Sequence, residues 1–447
     1  MNRLASLALC LVPLLSLAQP PTQERWVVVT DLWGNRLQQV LTLELAGKTL
    51  SGDLDGDRLE GERAGAQVRF VVTDARRARA TFTGRVEGDA MTGTVERPDP
   101  NDAKARARHA FTARRIPPRP PGPPRVLDFT PASYSNEFSA NREPVLTLWS
   151  GDTVRTTTLD SGGMDEKGVT RALYGNPQTG PFFIADARVG DTLAVRLVRL
   201  RLNRDWADSL DAIVGRALTP RLAARATELG KPVRWKLDVA RGRASPESSE
   251  RMKGFSIPLR PMLGGLAVAP DFGMPPQSTG DTGRFGGNMD FNEVVEGNTI
   301  YLPVGQPGAL LYLGDGHAAQ GDGETSQFAL ETSLEVEFTV EVIPGKAPSM
   351  PRVESPTHLM VLGQAGSLDD ALRAATSGLT QWLEQEYGLG LSESAQVLGS
   401  SAQYVVANLA GRSVGVAVKL EKSRLEALRG GRMQAPRAPD GARPGGR

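Results

Sequence analysis

A chain of 447 residues, 40% hydrophobic and 23% charged, has the make-up of a folded globular protein and the length of two or three domains. Its 52 Lys and Arg against 51 Asp and Glu leave a formal charge of +1, which excludes a basic nucleic-acid face or an attraction to anionic membranes as organising features. The single cysteine, Cys10, excludes a disulfide framework.

Residues 1–18 read as a secretory signal peptide. Met1-Asn-Arg3 supplies the positive start, Leu4 to Leu17 the apolar run, and Ser16-Leu-Ala18 the small residues that a signal peptidase reads. Leu9 before Cys10 is not the small residue that a lipidation site needs. Cleavage after Ala18 would leave no cysteine, and with it no thiolate chemistry. No later apolar run is long enough to span a bilayer, so an exported, periplasmic or secreted protein is expected.

Residues 19–115 read as an all-β accessory domain. Trp26-Val-Val-Val-Thr30, Leu41-Thr-Leu-Glu-Leu45, Val68-Arg-Phe-Val-Val72 and Ala80-Thr-Phe-Thr-Gly84 are rich in β-branched and aromatic residues, with Gly and Asp between them. Their spacing predicts an antiparallel meander closed into a barrel or sandwich. Asp53, Asp55 and Asp57 around Gly56 lack the glutamate and flanking helices of a calcium loop and predict a hairpin turn. The cluster Lys104-Ala-Arg-Ala-Arg108 reads as a solvated strand edge or loop, and His109 beside it as an exposed bystander. Ile116 to Arg125 holds six prolines in ten residues, an extended linker between domains.

The segment 126–428 is expected to be a second, β-rich domain with late helices, and 429–447 a disordered Gly-, Arg- and Pro-rich tail. Pro144-Val-Leu-Thr-Leu148, Thr153 to Leu159 and Asp191 to Leu197 read as strands. Leu210 to Leu229 reads as a helix interrupted at Pro220. Ser367 to Leu428 reads as mostly helical, opening on a capping-box-like Ser367-Leu-Asp-Asp370, with Leu372, Ala375, Leu379 and Leu383 near helical spacing.

Reactive side chains are densest between Gly286 and Glu324. Gly286-Gly-Asn-Met-Asp290 sets an amide and a carboxylate beyond two glycines. The run Gly314-Asp-Gly-His-Ala-Ala-Gln-Gly-Asp-Gly-Glu324 follows the strand-like Ala309-Leu-Leu-Tyr-Leu313 and holds one of only three histidines. Glycines there allow close backbone approach to a small ligand. Asp, His and Glu suit a divalent ion or acid–base chemistry. On composition alone, a hydrogen-bonded structural histidine and turn aspartates at 160, 315 and 322 remain open readings, as does a turn role for Asn288. Serine chemistry is disfavoured, because Gly-x-Ser-x-Gly is absent.

These blocks resemble the acetamidase/formamidase family. The resemblance runs through Pro144–Leu148 with Gly151-Asp-Thr-Val154, Asp160, Asn176-Pro-Gln-Thr-Gly-Pro181, Gly190 to Val195, Leu263 to Pro270, the two Gly-rich blocks and Pro356-Thr-His358, covering roughly residues 127–425. It implies hydrolysis of a small linear amide to a carboxylate and ammonia, with metal assistance, zinc being the ion associated with some members. It also implies homo-oligomers, without fixing their number. Carried over residue by residue, it implies Asp160, His317 and Asp315 as metal ligands and Glu324, His317 and Asp160 as the catalytic group. Glu324 would be the general base, and Asn288, Asp290 and Asn136 would bind the substrate. Alternatives are a γ-lactam hydrolase, or an amidase-fold binding protein without activity. A solute-binding protein is disfavoured, since it would need two α/β lobes. The chain departs from the family at Ser133-Tyr-Ser-Asn-Glu-Phe138 and in the longer, more basic stretch 197–253, which bears on the choice of substrate.

Overall fold

The protein is described here from a computed structural model, in which residues 22–102, 104–247 and 249–428 are described. The segments read as signal peptide, residues 1–18, and as tail, residues 429–447, lie outside the described residues. The chain divides into two units, Met1–Pro117 and Pro118–Arg447.

In the first unit, eight strands from Thr22–Leu32 to Arg106–Ile116 pair each with the next, and the last returns to the first to close a barrel. Alternation does most of this: in Arg79–Glu87 the odd face carries Arg79, Thr83, Arg85 and Glu87 outward while Phe82, Gly84 and Val86 point in. Two-residue loops at Trp33-Gly34 and Asp55-Gly56 have positive φ at both positions, the twist that matches neighbouring strands. The Asp-rich stretch at 53–57 is therefore a hairpin turn. Eight strands leave an interior that side chains fill, and here Trp26, Leu41, Phe70, Phe82 and Phe111 do so. Phe82 stacks on Phe70 at 4.8 Å and meets Phe111 edge-on at 5.3 Å.

The second unit is built on two large sheets, of eleven and nine strands among the described residues. Their facing sides share one core, where Phe182 of one sheet meets Phe338 of the other at 5.4 Å and Leu263, Leu313, Val195 and Ile300 are fully buried. Strands buried on both faces have no polar side to show, which is why Gln178–Ile184, Met262–Ala267 and Leu311–His317 are buried at every residue. Helix Leu368–Tyr387 covers the outer side of the nine-stranded sheet. Ser367 Oγ accepts from the Asp370 amide at 3.2 Å at its start, and Gly388 ends it with φ 69°. Ala371, Ala375, Leu379, Trp382 and Leu383 face inward, whereas Leu372 is exposed. The architecture is thus β-rich α+β with an N-terminal antiparallel barrel, as the sequence predicts.

Two local expectations change. Leu210–Leu229 holds one helical turn, Pro220–Ala223, because Gly215, Pro220 and the absence of a buried apolar face leave nothing to sustain more. Beyond helices Leu368–Tyr387 and Leu391–Ser401, the C-terminal segment turns to strands Gln403–Asn408 and Val414–Glu421, which join the sheet edge.

Candidate active site

The site forms on the eleven-stranded sheet, where strand Leu311–His317 lies between Met262–Ala267 and Glu331–Thr332. Register decides which groups meet. His317 stands opposite Met262 on one side and Glu331 on the other, and Gly265 stands opposite both Gly314 and Asn288. Asp290 follows the short strand Gly286–Asn288, and its amide donates to the Gly264 carbonyl at 3.2 Å.

His317 is fully buried, and its Nδ1 donates to the Ala329 carbonyl at 2.7 Å. In the neutral ring that bond fixes the tautomer and leaves the lone pair on Nε2. Nε2 lies 3.5 Å from Asp290 Oδ1 and 3.6 Å from Asp315 Oδ2. Nε2 and Asp290 Oδ1 are buried with no hydrogen-bond partner, as are Asp315 Oδ1 and Glu331 Oε2. Such orphaned groups call for an explanation. Gly264 gives one: a Cβ there would lie 2.4 Å from Asp290 Oδ1, 2.6 Å from Asp315 Oδ2 and 2.6 Å from His317 Nε2. Three electron-pair donors therefore surround a one-atom space that only glycine leaves open. Two donors about 2.1 Å from a tetrahedral ion stand about 3.4 Å apart, close to the spacings seen here. Donors of a second candidate group, Asp315, His317 and Glu331, also lie within 4.8 Å of one another, as do those of Asp290, His317 and Glu324.

The charges are strongly linked. Burial pushes Glu324 well above the usual carboxylate range, and Asp290 pushes it further. Burial likewise raises Glu331, against the pull of His317, and raises Asp290. Burial alone would lower His317, but Glu331, Asp315 and Asp290 outweigh it and hold the ring well above its ordinary value. Without a cation, the cluster must gather protons; a divalent cation would take their place.

An amide network holds the carboxylates. Asn176 Nδ2 donates to Asp315 Oδ2 and to Asn288 Oδ1, each at 2.8 Å. Asn288 Nδ2 and Asn408 Nδ2 donate to Asp290 Oδ2 at 2.5 and 2.7 Å. The Glu324 loop is pinned to the C-terminal segment by Gly323 N to Ala407 O at 3.1 Å and Leu409 N to Gly323 O at 2.8 Å.

Of the residues singled out in the sequence, Asp290, Asp315, His317 and Glu324 come together, and Asn288 touches them as a positioning residue with its amide already used at both ends. Asp160 lies outside this cluster. Its Oδ2 accepts from the buried Arg204 at 2.7 Å and its Oδ1 from the Met164 amide at 2.8 Å. Arg204 also donates to the Glu331 carbonyl at 3.1 Å and Thr332 Oγ1 at 3.0 Å, which links Asp160 to the strand that carries Glu331. Asn136 Nδ2 donates to the carbonyls of residues 173–175 and secures the approach to Asn176. His109, expected to be exposed, is instead buried in the barrel under the Trp33 ring, its Nδ1 3.0 Å from the Asp31 carbonyl, and His358 contacts Thr357. The sequence reading missed Glu331, whose signal was an acid set among Ala329, Leu330 and Thr332. It also gave no role to Asn176, and Asn408 carries no local signal at all.

A sequence model described as the Acetamidase/Formamidase family matches residues 275–361, a span that includes Asn288, Asp290, Asp315, His317, Glu324 and Glu331. A protein of Schizosaccharomyces pombe designated a putative formamidase is 51% identical over 41 residues, 9% of this chain and 10% of that protein, so the match spans only a small part of the relative. Among solved structures, a recombinant predicted acetamidase/formamidase from Thermoanaerobacter tengcongensis is 25% identical with a TM-score of 0.58, covering 68% of this chain and 98% of that one. An acetamidase from Yersinia enterocolitica is 28% identical with a TM-score of 0.58, over 68% and 93% of the two chains.

Proposed function

From a chain whose family match and fold are those of the acetamidase/formamidase proteins, we propose an enzyme that hydrolyses the C–N bond of a small linear amide to a carboxylate and ammonia. The observation that carries this reading is the convergence of Asp290, Asp315 and His317 on the bare face of Gly264, with Glu324 beside them. This donor set fits a divalent ion, and one nitrogen with carboxylates suits zinc. Asp290, Asp315 and His317 would hold it, with Glu331 opposite His317 as a further carboxylate. When bound, such an ion supplies Lewis acidity, polarising a carbonyl and acidifying water.

The chain's own residues do the rest. Glu324, made more basic by its burial, takes a proton from the attacking water as its oxygen bonds to the amide carbon. The same carboxyl then hands that proton to the leaving nitrogen as the C–N bond breaks, so the products are the carboxylic acid and ammonia, which exchange a proton in water to give carboxylate and ammonium, and Glu324 returns to its starting state. Asn176, Asn288 and Asn408 keep the carboxylates aimed. The enclosed cluster, with Asp290 and Asp315 each 1% exposed, favours small substrates.

Ammonia release from formamide, acetamide, propionamide and a γ-lactam, with and without chelator and re-added zinc, tests this. No ammonia from any of them overturns the reading, and turnover indifferent to chelation removes the ion while leaving the amidase. The sequence of residues 1–18 supports export. N-terminal sequencing of protein from the extracytoplasmic fraction should begin at Gln19, and recovery of intact Met1 in the cytoplasm would overturn it.

A further inference from the structure

Away from the Glu324 cluster, on the nine-stranded sheet, strands Thr299–Pro303 and Arg352–Glu354 and the last turns of helix Leu368–Tyr387 border a cleft of about 290 Å³. That is the small end of the range of about 300–1,000 Å³ usual for ligand pockets. Arg352 lies at its base, 5% exposed. Its guanidinium donates to Gln381 Oε1 at 3.1 Å and Gln385 Oε1 at 2.8 Å, both neutral acceptors, and sits 5.0 Å over the Trp382 ring. Its Nε is buried with no partner, and burial lowers its pKa to about 10.

The two carboxylates that border the cleft are already paired, chiefly with residues of its own walls. Glu354 accepts from the Tyr301 hydroxyl at 2.6 Å and pairs with Lys422 at 2.5 Å, and Glu386 pairs with Lys346 at 3.0 Å. Among the described residues, Arg352 has no carboxylate within ion-pairing distance. Glu386, beyond ion-pairing distance and paired with Lys346, supports Arg352 only by its charge from a distance. A buried cation whose direct acceptors are amide carbonyls therefore has room for an anion, and a guanidinium fork matches a carboxylate. The walls add the rest of the specificity: Tyr301 and Trp382 meet edge-on at 5.8 Å, with Ile343 and Leu359 beside them.

We propose that this cleft binds a small organic carboxylate, with its anion on Arg352 and its apolar part against Trp382 and Tyr301. The site is separate from the amidase reading and stands or falls without it.

Benzoate titrated into the full chain, followed by calorimetry and by thermal shift, tests the proposal, with benzamide as the neutral analogue. Wild type should bind benzoate saturably at one site per chain, and benzamide should bind at least about tenfold more weakly. Arg352→Gln should lose benzoate by a similar factor. Because Arg352 also ties the helix through Gln381 and Gln385, Ile343→Trp provides a second variant that fills the cleft and keeps the cation; it should lose benzoate equally while melting as a folded protein. No saturable binding to wild type, equal binding of benzamide, or benzoate binding unchanged in Ile343→Trp would overturn it.

Discussion

The same strained backbone conformation serves different ends in the two units. In the barrel, positive φ at non-glycine residues falls on Trp33, Asp55 and Arg77, at turns between neighbouring strands. In the second unit it falls on Asn176, Asp290, Asp315 and Glu324 of the site, and also on Ala309, Leu310, Gln327 and Leu330. Each such position costs about 1–3 kcal/mol unless its surroundings enforce it. The barrel uses the conformation to reverse direction between strands already joined by chain connectivity. At four of the eight such positions among its described residues, the second unit uses it to aim polar side chains into a buried space. Pairing follows the same division, since barrel strands pair in sequence order, whereas strand Leu311–His317 takes partners from 178–184 and 262–267 as well as 331–332. Local pairing makes a stable shell, and long-range pairing assembles a site.

That contrast can be broken or sharpened experimentally. Glu324→Gln should lower turnover by about 10²–10⁴-fold with the melting temperature kept, as read by ammonia release and calorimetry; near-wild-type turnover would remove Glu324 as the base. Gly264→Ala places a methyl group among three donors, so divalent-ion binding and turnover should fall together, checked by metal analysis of the purified protein. Full metal content in the Gly264→Ala variant would show that the space is not the ion's. Asn408→Ala frees one side of Asp290 and should cost about 10–100-fold in turnover or metal affinity, with the fold intact by circular dichroism. Phe82→Ala should cost the barrel about 3–5 kcal/mol in denaturant titrations yet leave turnover per folded chain unchanged. His358→Gln should move neither quantity; a tenfold loss of activity would bring that histidine into the chemistry.

The legible parts of the sequence are those where local chemistry and final structure agree. Alternation in Ala80-Thr-Phe-Thr-Gly84 and the Asp55-Gly56 turn announce hairpins, and hairpins are what form. The density of Gly, Asp, His and Glu between 286 and 324 marks the right neighbourhood, because glycine is needed wherever backbone and donors approach closely. Elsewhere the physics is not local. Ala- and Leu-rich spacing at 210–229 suggests a helix, but helical stability comes mainly from a buried face, and that segment has none. The strands at 403–408 and 414–421 lie in a stretch read as helical, although Val405, Val406, Val414, Val416 and Val418 favour a pleated surface. Asp160 draws attention as an acid in an expected place, and only the partner on Arg204 shows its positioning task. Asn408 could not have been found, since a residue that acts across 118 positions of chain leaves no pattern around itself.

The seating of Gly323 on residues 407–409 has a consequence for when the enzyme exists as an enzyme. Ribosomes deliver the chain from its N-terminus, so the His317 strand and the Glu324 loop emerge well before the segment that closes over them. Until Ala407, Asn408 and Leu409 arrive, Asp290 lacks one of its two amide braces and the loop that presents Glu324 lacks the two backbone hydrogen bonds made by Gly323. On the proposed amide hydrolysis, a chain not yet extended through Leu409 would therefore be without turnover, and the site would be completed only with the last strands.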